Sequence, residues 1–186
     1  TINCIPNGTF VRGAEPLPHN LKQLGKAVLK NKAHIGFATD PDGDRLAIVD
    51  ELGNPLGEEY TLAICADGIL SKNDIVTPII TNLSSSMVLD KVTEKYQNIV
   101  QRSAVGEINV VNLMKQTNSV FGGEGNGGVI LPESHYGRDS LVGVSLILNR
   151  LSQTNESISE IYASMPQFFM IKSKLNLQNI NPDKAL

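Results

Sequence analysis

The chain has 186 residues, 41% of them hydrophobic and 19% charged, with a formal net charge of −3 at pH 7. This length can bury one good core or two small ones, and the composition is typical of a globular protein in water. A slightly acidic chain without a basic run does not favour nucleic acid as the main partner, and no apolar run approaches a membrane span in length. We expect no export signal, because this N-terminus lacks a basic-then-apolar pattern, and Cys4 and Cys65 lie in apolar surroundings as expected of buried free thiols. We therefore predict a cytoplasmic protein that binds neither nucleic acid nor membrane.

The first predicted elements are a helix over 20–30 and a hairpin. Asn20 is a candidate N-cap, and one apolar stripe follows at helical spacing in Leu21, Leu24 and Val28. Two short apolar runs, 33–38 and 46–49, are typical of buried strands. They enclose an acidic turn, and the hairpin is predicted to close near the turn-forming residues 53–55.

The acidic turn runs Asp-Pro-Asp-Gly-Asp-Arg from Asp40 to Arg45. Its three aspartates alternate, so their carboxylates can converge, and converging carboxylates favour a hard cation such as Mg²⁺, Ca²⁺ or Mn²⁺. Arg45 places a guanidinium beside them, an arrangement suited to holding a phosphate. A solvated acidic turn remains an alternative. An EF-hand is another and would use Glu51 as its last ligand, but Arg45 stands where that loop needs glycine.

From residue 58 onward the pattern alternates between helix and strand. The predicted fold class is α/β: a mixed, largely parallel sheet with helices on both faces, an α/β/α sandwich, preceded by an incomplete α/β domain. The predicted helices are 59–70, 84–96, 107–116, 139–151 and 156–165, and the predicted strands are 75–80, 99–102, 119–121, 129–131 and 168–175.

A glycine-rich segment at 122–128 has five glycines in seven residues. Such a backbone can approach a ligand closely, and Glu124 and Asn126 offer the acceptors and donors that vicinal sugar hydroxyls need. A plain mobile loop is the alternative, whereas a P-loop is a poor one because no Gly-Lys-Ser/Thr follows. Both special loops follow predicted strands, where open α/β sheets bind their ligands.

These two motifs, in this order, resemble the metal-binding and sugar-binding loops of the α-D-phosphohexomutases, the superfamily of phosphoglucomutase, phosphomannomutase and phosphoglucosamine mutase. The resemblance covers nearly the whole chain and includes the segments 10–16, 50–53, 105–107 and 137–139. Members move a phosphoryl group between the C1 and C6 oxygens of a hexose through a phosphoserine and a bisphosphate. The resemblance implies that Asp40, Asp42 and Asp44 bind Mg²⁺ and that Arg45 is catalytic at the phosphoryl group. It also implies that the hexose phosphate is bound by Glu124, Asn126, Gly106 and Glu107.

Two parts of such an enzyme are missing from the chain. No Thr/Ser-Ala-Ser-His-Asn loop supplies a donor serine, and the run 84–86 is better explained as the start of a helix. We expect the final phosphate-binding domain to be absent from the chain as well. We therefore expect part of domain 2 at 1–55, domain 3 at 56–170 and an exit linker at 171–186, inactive without the missing domains as partners. A non-catalytic carbohydrate- or metal-binding module is the alternative; a phosphatase using Asp40 as nucleophile fits less well, because Gly43 and Asp44 stand where a threonine is expected.

The preferred hexose is suggested only by Glu107, whose carboxylate could attract the ammonium group of glucosamine phosphate. A favourable charge in the first turn of a helix explains Glu107 equally well. Arg138 could reach a phosphate, but a role at the start of a helix is the simpler interpretation. Asp139 is expected to cap that helix.

Overall fold

The secondary structure comes from a computed structural model that describes residues 1–5, 7–72 and 74–168. The elements in chain order are a 3₁₀ turn at Pro18–Asn20, α1 (Lys22–Asn31), β1 (Ile35–Thr39), β2 (Leu46–Asp50), α2 (Glu59–Leu70), β3 (Ile79–Asn82), α3 (Val88–Glu94), β4 (Val100–Ser103), α4 (Glu107–Thr117), β5 (Gly122–Glu124), β6 (Gly128–Ile130), α5 (Ser140–Leu151) and α6 (Ile158–Ser164).

The N-terminal unit consists of α1 packed on the antiparallel hairpin of β1 and β2. The strands pair from Ile35 opposite Asp50 to Thr39 opposite Leu46, which places the acidic turn at the tip of the hairpin. The stripe on α1 is confirmed, since Leu21 and Val28 are buried against Ala47 and Val49 of β2 with Leu24 beside them.

The predicted cap of this helix is wrong. The helix begins at Lys22 after Leu21, without a side-chain cap. Asn20 ends the preceding 3₁₀ turn, and its side-chain amide donates to the carbonyl oxygen of Glu15 at 2.8 Å. Proline is favoured at the first position of a helical turn, and here Pro18 begins a separate 3₁₀ turn that includes Asn20, so the cap position of α1 lies one residue later than predicted.

The main sheet has the strand order β4-β3-β5-β6, with β3 parallel to β4 and β5, and β6 antiparallel to β5. Adjacent residues of a strand point to opposite faces. Ile79 accordingly joins the main core with Leu62 of α2, whereas Ile80 joins a second core with Val110 and Met114 of α4. Helices therefore cover both faces, and the predicted mixed α/β/α sandwich is confirmed.

The hairpin joins this sheet at β6. The backbone amide of Leu46 donates to the carbonyl oxygen of Gly127 at 3.0 Å, and Arg45 forms an isolated antiparallel bridge with Gly128. Leu46 and Ile48 belong to the main core, on the opposite side of β2 from the residues that face α1. The acidic turn is thereby held next to the glycine-rich segment.

Several predicted boundaries differ from the structure. The strand predicted at 75–80 begins only at Ile79, directly after Pro78, which cannot donate to a sheet ladder. The strand predicted at 119–121 lies at Gly122–Glu124, so the glycine-rich segment is itself a tight hairpin of β5 and β6. Cys65 is buried as predicted, but the prediction is wrong for Cys4, which is exposed together with its apolar neighbours Ile2 and Ile5.

The predicted strand at 168–175 and the exit linker at 171–186 fall outside the described residues, apart from Phe168. Among the helices that the structure describes, none has both the length and the apolar character to cross a membrane.

Candidate functional site

The acidic turn brings its three aspartates together. One carboxylate oxygen from each of Asp40, Asp42 and Asp44 lies within 4.8 Å of the others. Asp40 is almost fully buried, and its Oδ1 accepts from the backbone amides of Asp44 and Arg45, each at 3.1 Å. These bonds curl the turn around Asp40, so the convergence follows from the backbone as well as from the spacing.

The electrostatics of the turn fit a cation. Burial raises the pKa of Asp44 to about 6, and the neighbouring charges of Asp40 and Asp42 add to this rise, although Arg138 opposes it. Burial also acts to raise the pKa of Asp40, but hydrogen bonds from Arg45 outweigh it and lower the value to about 2. Among the described residues, Asp44 Oδ1 is buried and accepts no hydrogen bond. A divalent cation would give this oxygen a partner and offset the repulsion between the carboxylates.

Arg45 is held between two carboxylates. Its Nε donates to Asp40 Oδ2 at 2.5 Å, while Nη1 and Nη2 form a fork with Glu15 at 2.6 and 3.2 Å. The hydrogen bond to Glu15 is the main reason that the pKa of Arg45 is raised. Because Glu15 is half exposed, an incoming phosphate could take its place on the outer edge of the guanidinium.

The glycine-rich hairpin places Glu124 and Asn126 beside the acidic turn. Glu124 is buried, and its Oε1 accepts from Asn82 Nδ2 at 2.6 Å and its Oε2 from Arg138 Nη1 at 2.7 Å. Asn126 lies half-buried at the tip of the hairpin, where its Oδ1 accepts from the backbone amide of Gly128 at 3.2 Å.

Gly127 allows the two loops to meet. Its φ is +91°, and a Cβ atom built there would lie 2.3 Å from the carbonyl oxygen of Leu46. Any other residue would combine an unfavourable backbone conformation with a clash against main-chain atoms. The glycine at this position is therefore needed for the contact between the glycine-rich segment 122–128, the sugar-loop candidate, and the acidic turn 40–45, the metal-loop candidate.

Arg138 connects three motifs that are far apart in the sequence. Its guanidinium forms ion pairs with Asp44 through Nη2, with Glu124 through Nη1 and with Glu107 through Nε. Sequence reasoning singled out this arginine but not its partners. The only signal was the position of Gly137-Arg138-Asp139 at the start of a helix. That helix start is confirmed, because the carboxylate of Asp139 caps α5 by accepting from Leu141 and Val142.

Gly106 and Glu107 lie at the start of α4. Gly106 has a φ of 114°, and its carbonyl oxygen accepts from the amides of Asn109 and Val110. Both carboxylate oxygens of Glu107 are used by Arg138, one by its backbone amide at 3.0 Å and the other by Nε at 3.2 Å. The charge of Glu107 is thus matched inside the chain.

The serine run 84–86 after β3 has a structural role that the sequence did not predict. It does not start a helix, since α3 begins only at Val88. Asn82 Oδ1 instead accepts from the amide and hydroxyl of Ser84 and from the hydroxyl of Ser85. Ser85 Oγ in turn accepts from the amide of Gly125 at 2.9 Å. The turn after β3 is therefore hydrogen-bonded to the glycine-rich hairpin and helps to hold it in place.

The whole site is rich in negative charge. Two guanidinium groups, Arg45 and Arg138, face a larger set of carboxylates: Glu15, Asp40, Asp42, Asp44, Glu107 and Glu124. A phosphorylated ligand would be repelled here unless a cation and further positive groups were present.

Comparison with known proteins agrees with this geometry. Residues 57–169 match the family profile described as "Phosphoglucomutase/phosphomannomutase, alpha/beta/alpha domain III". Residues 1–53 match the profile for alpha/beta/alpha domain II of the same family. The two profiles meet near the end of the hairpin.

Curated relatives extend the match. A phosphoglucomutase/phosphomannomutase of Thermococcus kodakarensis is 31% identical over 96% of this chain and 39% of its own length. A probable phosphoglucosamine mutase of Methanopyrus kandleri is 32% identical over 92% of this chain and 38% of its own. The chain thus spans about two fifths of the length of these relatives.

A solved structure shares the fold. A crystal structure from Thermus thermophilus, provisionally identified as a phosphomannomutase, superimposes with a TM-score of 0.74 at 24% identity. The superposition covers 81% of this chain and 35% of the other. With the two profile matches spanning nearly all of the described residues, the chain belongs to the phosphoglucomutase/phosphomannomutase family.

Proposed function

We propose that the chain supplies the metal-binding and sugar-binding loops of a phosphohexomutase, an intramolecular phosphotransferase that interconverts hexose 1-phosphate and hexose 6-phosphate. The reaction would pass through a phosphoserine and a bisphosphate, with the serine outside this chain. The observation that carries the proposal is the junction of the two loops, where Leu46 bonds Gly127 beside three converging aspartates. We further propose that residues 1–55 are the C-terminal part of domain 2 and that residues 56–170 are domain 3, a division that the two profile matches support.

Each site residue has a role in this proposal. Asp40, Asp42 and Asp44 would hold Mg²⁺, which supplies neutralisation of the charge on the phosphoryl group during transfer. Arg45, fixed by Asp40, would offer its outer edge to that group after Glu15 gives way. The remaining lone pairs of Glu124 and the amide of Asn126 would bind ring hydroxyls, and Gly106 and Glu107 would border the same space.

The charge balance supports a need for groups outside the chain. Around the two loops, the described carboxylates outnumber the guanidinium groups of Arg45 and Arg138, so we propose no anchor there for the phosphate that stays on the sugar. We propose that a phosphoserine domain and a phosphate-binding domain act as partners, and that the chain alone does not turn over substrate. The length of the relatives supports this, because each is more than twice as long as this chain.

Glucosamine, glucose and mannose phosphates are the proposed substrate class. Glu107 gives less reason to prefer the amino sugar than its sequence position suggested, since Arg138 already pairs with it. Preference for glucosamine phosphate therefore stays a prediction, as do the cytoplasmic location and the exclusion of nucleic acid and membrane.

A second candidate is a carbohydrate- or metal-binding module of this family without catalysis. The pairing of both arginines with carboxylates of the chain favours it, because neither guanidinium is left wholly available to a substrate phosphate.

One experiment separates the two candidates. Purified chain would be assayed for conversion of a hexose 1-phosphate, first alone and then mixed with the remaining domains of the Thermococcus kodakarensis relative. We expect no turnover alone and measurable phosphoryl exchange in the mixture, lost in the Asp40→Asn variant. Turnover by the chain alone would contradict the fragment hypothesis. A mixture that assembles but shows no exchange would favour the binding module.

A further inference from the structure

Arg138 forms ion pairs with the metal-loop candidate, the sugar-loop candidate and the start of α4 at once. We propose that it is a positioning residue that couples cation binding at Asp44 to the charge environment of Glu124. The inference rests on the proposed function, because it assumes that the acidic turn binds a divalent cation.

The geometry leaves this guanidinium little freedom. Its side chain is 18% exposed, and each of its three nitrogens faces a different carboxylate. Its stem lies against Gly128, where an added Cβ atom would come within 2.2 Å of Arg138 Cδ. The backbone of Arg138 is also fixed, since its amide donates to Glu107 Oε1 at 3.0 Å.

The coupling follows from a shared ligand. Asp44 Oδ2 forms an ion pair with Arg138, while Asp44 Oδ1 has no hydrogen-bond partner among the described residues. A divalent cation bound to Asp44 draws charge from the carboxylate and weakens its attraction for Arg138. Arg138 then interacts mainly with the carboxylates of Glu124 and Glu107. Linkage is reciprocal, so Arg138 must oppose cation binding to the same degree.

Asn82 offers a local reporter of this change. Its side-chain amide donates to Glu124 Oε1 at 2.6 Å, while Arg138 donates to the other oxygen of the same carboxylate. A change in the pairing of Glu124 with Arg138 must therefore alter the Asn82 amide. The backbone of Gly127 and Gly128 is a poorer reporter, because it contacts β2 directly.

The test is a magnesium chloride titration of the ¹⁵N-labelled chain, followed by NMR. In the parent chain we expect shifts in the backbone amides of 42–45 and in the side-chain amide of Asn82. In Arg138→Gln the backbone shifts should remain, the Asn82 shift should disappear, and Mg²⁺ should bind at least about fivefold more tightly. Glu107→Gln is the matched control: it removes the third partner of Arg138 but keeps Asp44 and Glu124, so the Asn82 response should persist.

The outcomes separate this inference from the proposed function. Backbone shifts at 42–45 without an Asn82 shift in the parent chain, or an Asn82 shift that survives in Arg138→Gln, would overturn the coupling and leave the metal site standing. No response at 42–45 in any variant would overturn both. If Arg138→Gln does not fold, Glu124→Gln replaces it. That variant keeps the pair of Arg138 with Asp44 but removes the charge through which the coupling acts, so a full Asn82 response there would also overturn the inference.

Discussion

At the scale of single residues, the site depends on carboxylates that have different partners. Asp40 is ionised and fixed by Arg45, whereas Asp44 is half-buried and one of its oxygens accepts no hydrogen bond from the described residues, and Asp42 is exposed. The spacing of the aspartates predicted their convergence, because three alternating residues in a turn suffice for it. The partners of Arg138 were not predictable, since Asp44, Glu107 and Glu124 reach it only through the packing of separate elements.

Replacing Asp42 tests the metal site with little effect on folding. The side chain is exposed, so Asp42→Asn should remove one negative ligand and weaken Mg²⁺ binding about tenfold or more. Isothermal titration calorimetry measures the change. Glu94→Gln removes the same charge at an exposed position on α3 and serves as control. Equal affinities in the two variants would argue that the turn does not bind the ion through Asp42.

At the scale of elements, the structure depends on turns that bring loops into contact. Periodicity alone predicted α2 over its full range and α5 to within one residue, because both have long apolar patterns. It failed at the glycine-rich segment, where the pairing of Gly122 with Ile80 and of β5 with β6 overrides the low strand propensity of glycine. It also failed in part at the serine run, where Ser84 and Ser85 bond the turn after β3 and Ser86 accepts from the first amide of α3.

A methyl group at Gly127 should separate the two loops. In Gly127→Ala the Cβ atom meets the Leu46 carbonyl in a left-handed backbone conformation, so the free energy of unfolding should fall by about 2–4 kcal/mol. Gly57→Ala is the control, because Gly57 has a φ of +89° with nothing within 4 Å of the added atom. That control should lose only about 1 kcal/mol in urea denaturation. Similar losses in both variants would mean that the close approach to Leu46 is unimportant.

The ion pair between α3 and β4 should make stability depend on acid pH. Arg102 forms a fork with Asp90 at 2.7 and 2.6 Å, and these hydrogen bonds lower the pKa of Asp90 from its ordinary value of 3.8. A lowered carboxyl pKa stabilises the folded chain above that ordinary value, and the contribution is lost as the pH falls through the folded-state pKa.

Asp90→Asn should therefore cost about 1–2 kcal/mol at pH 7, and the cost should shrink below about pH 4. Urea denaturation at a series of pH values measures the difference. Glu94→Gln, in an exposed pair with Lys91, should cost less than about 0.5 kcal/mol throughout. A cost of Asp90→Asn that stays constant down to about pH 3 would rule out this pair as its source.

At the scale of the whole molecule, β2 joins the N-terminal unit of α1, β1 and β2 to the main sheet and its helices. Leu46 and Ile48 lie in the main core, and the next residues along the strand, Ala47 and Val49, lie in the core under α1. The sequence predicted two consecutive domains but not this shared strand, because a run of apolar residues does not tell which neighbour each face will meet.

Shortening a side chain on β2 should destabilise both units together. Ile48→Ala should lower the free energy of unfolding by about 2–4 kcal/mol, since Ile48 is 1% exposed. Amide hydrogen exchange should show the same loss of protection in β1 and in β3. Leu52→Ala, at an exposed position, is the control and should change little. Faster exchange confined to β1 would indicate that the hairpin opens independently.

The hydrogen bond from the Leu46 amide to the Gly127 carbonyl oxygen also bears on how a substrate could rotate in the site. In the proposed mutase reaction, the bisphosphate would rotate by half a revolution within the site before its other end meets the serine. A hinge near residues 53–57 would make little room for this rotation, because the hairpin is tied to the main sheet by the Leu46–Gly127 hydrogen bond and the Arg45–Gly128 bridge. If the proposed reaction holds, the clearance would come from movement of the domains that we propose outside this chain, while these two loops keep their positions relative to each other.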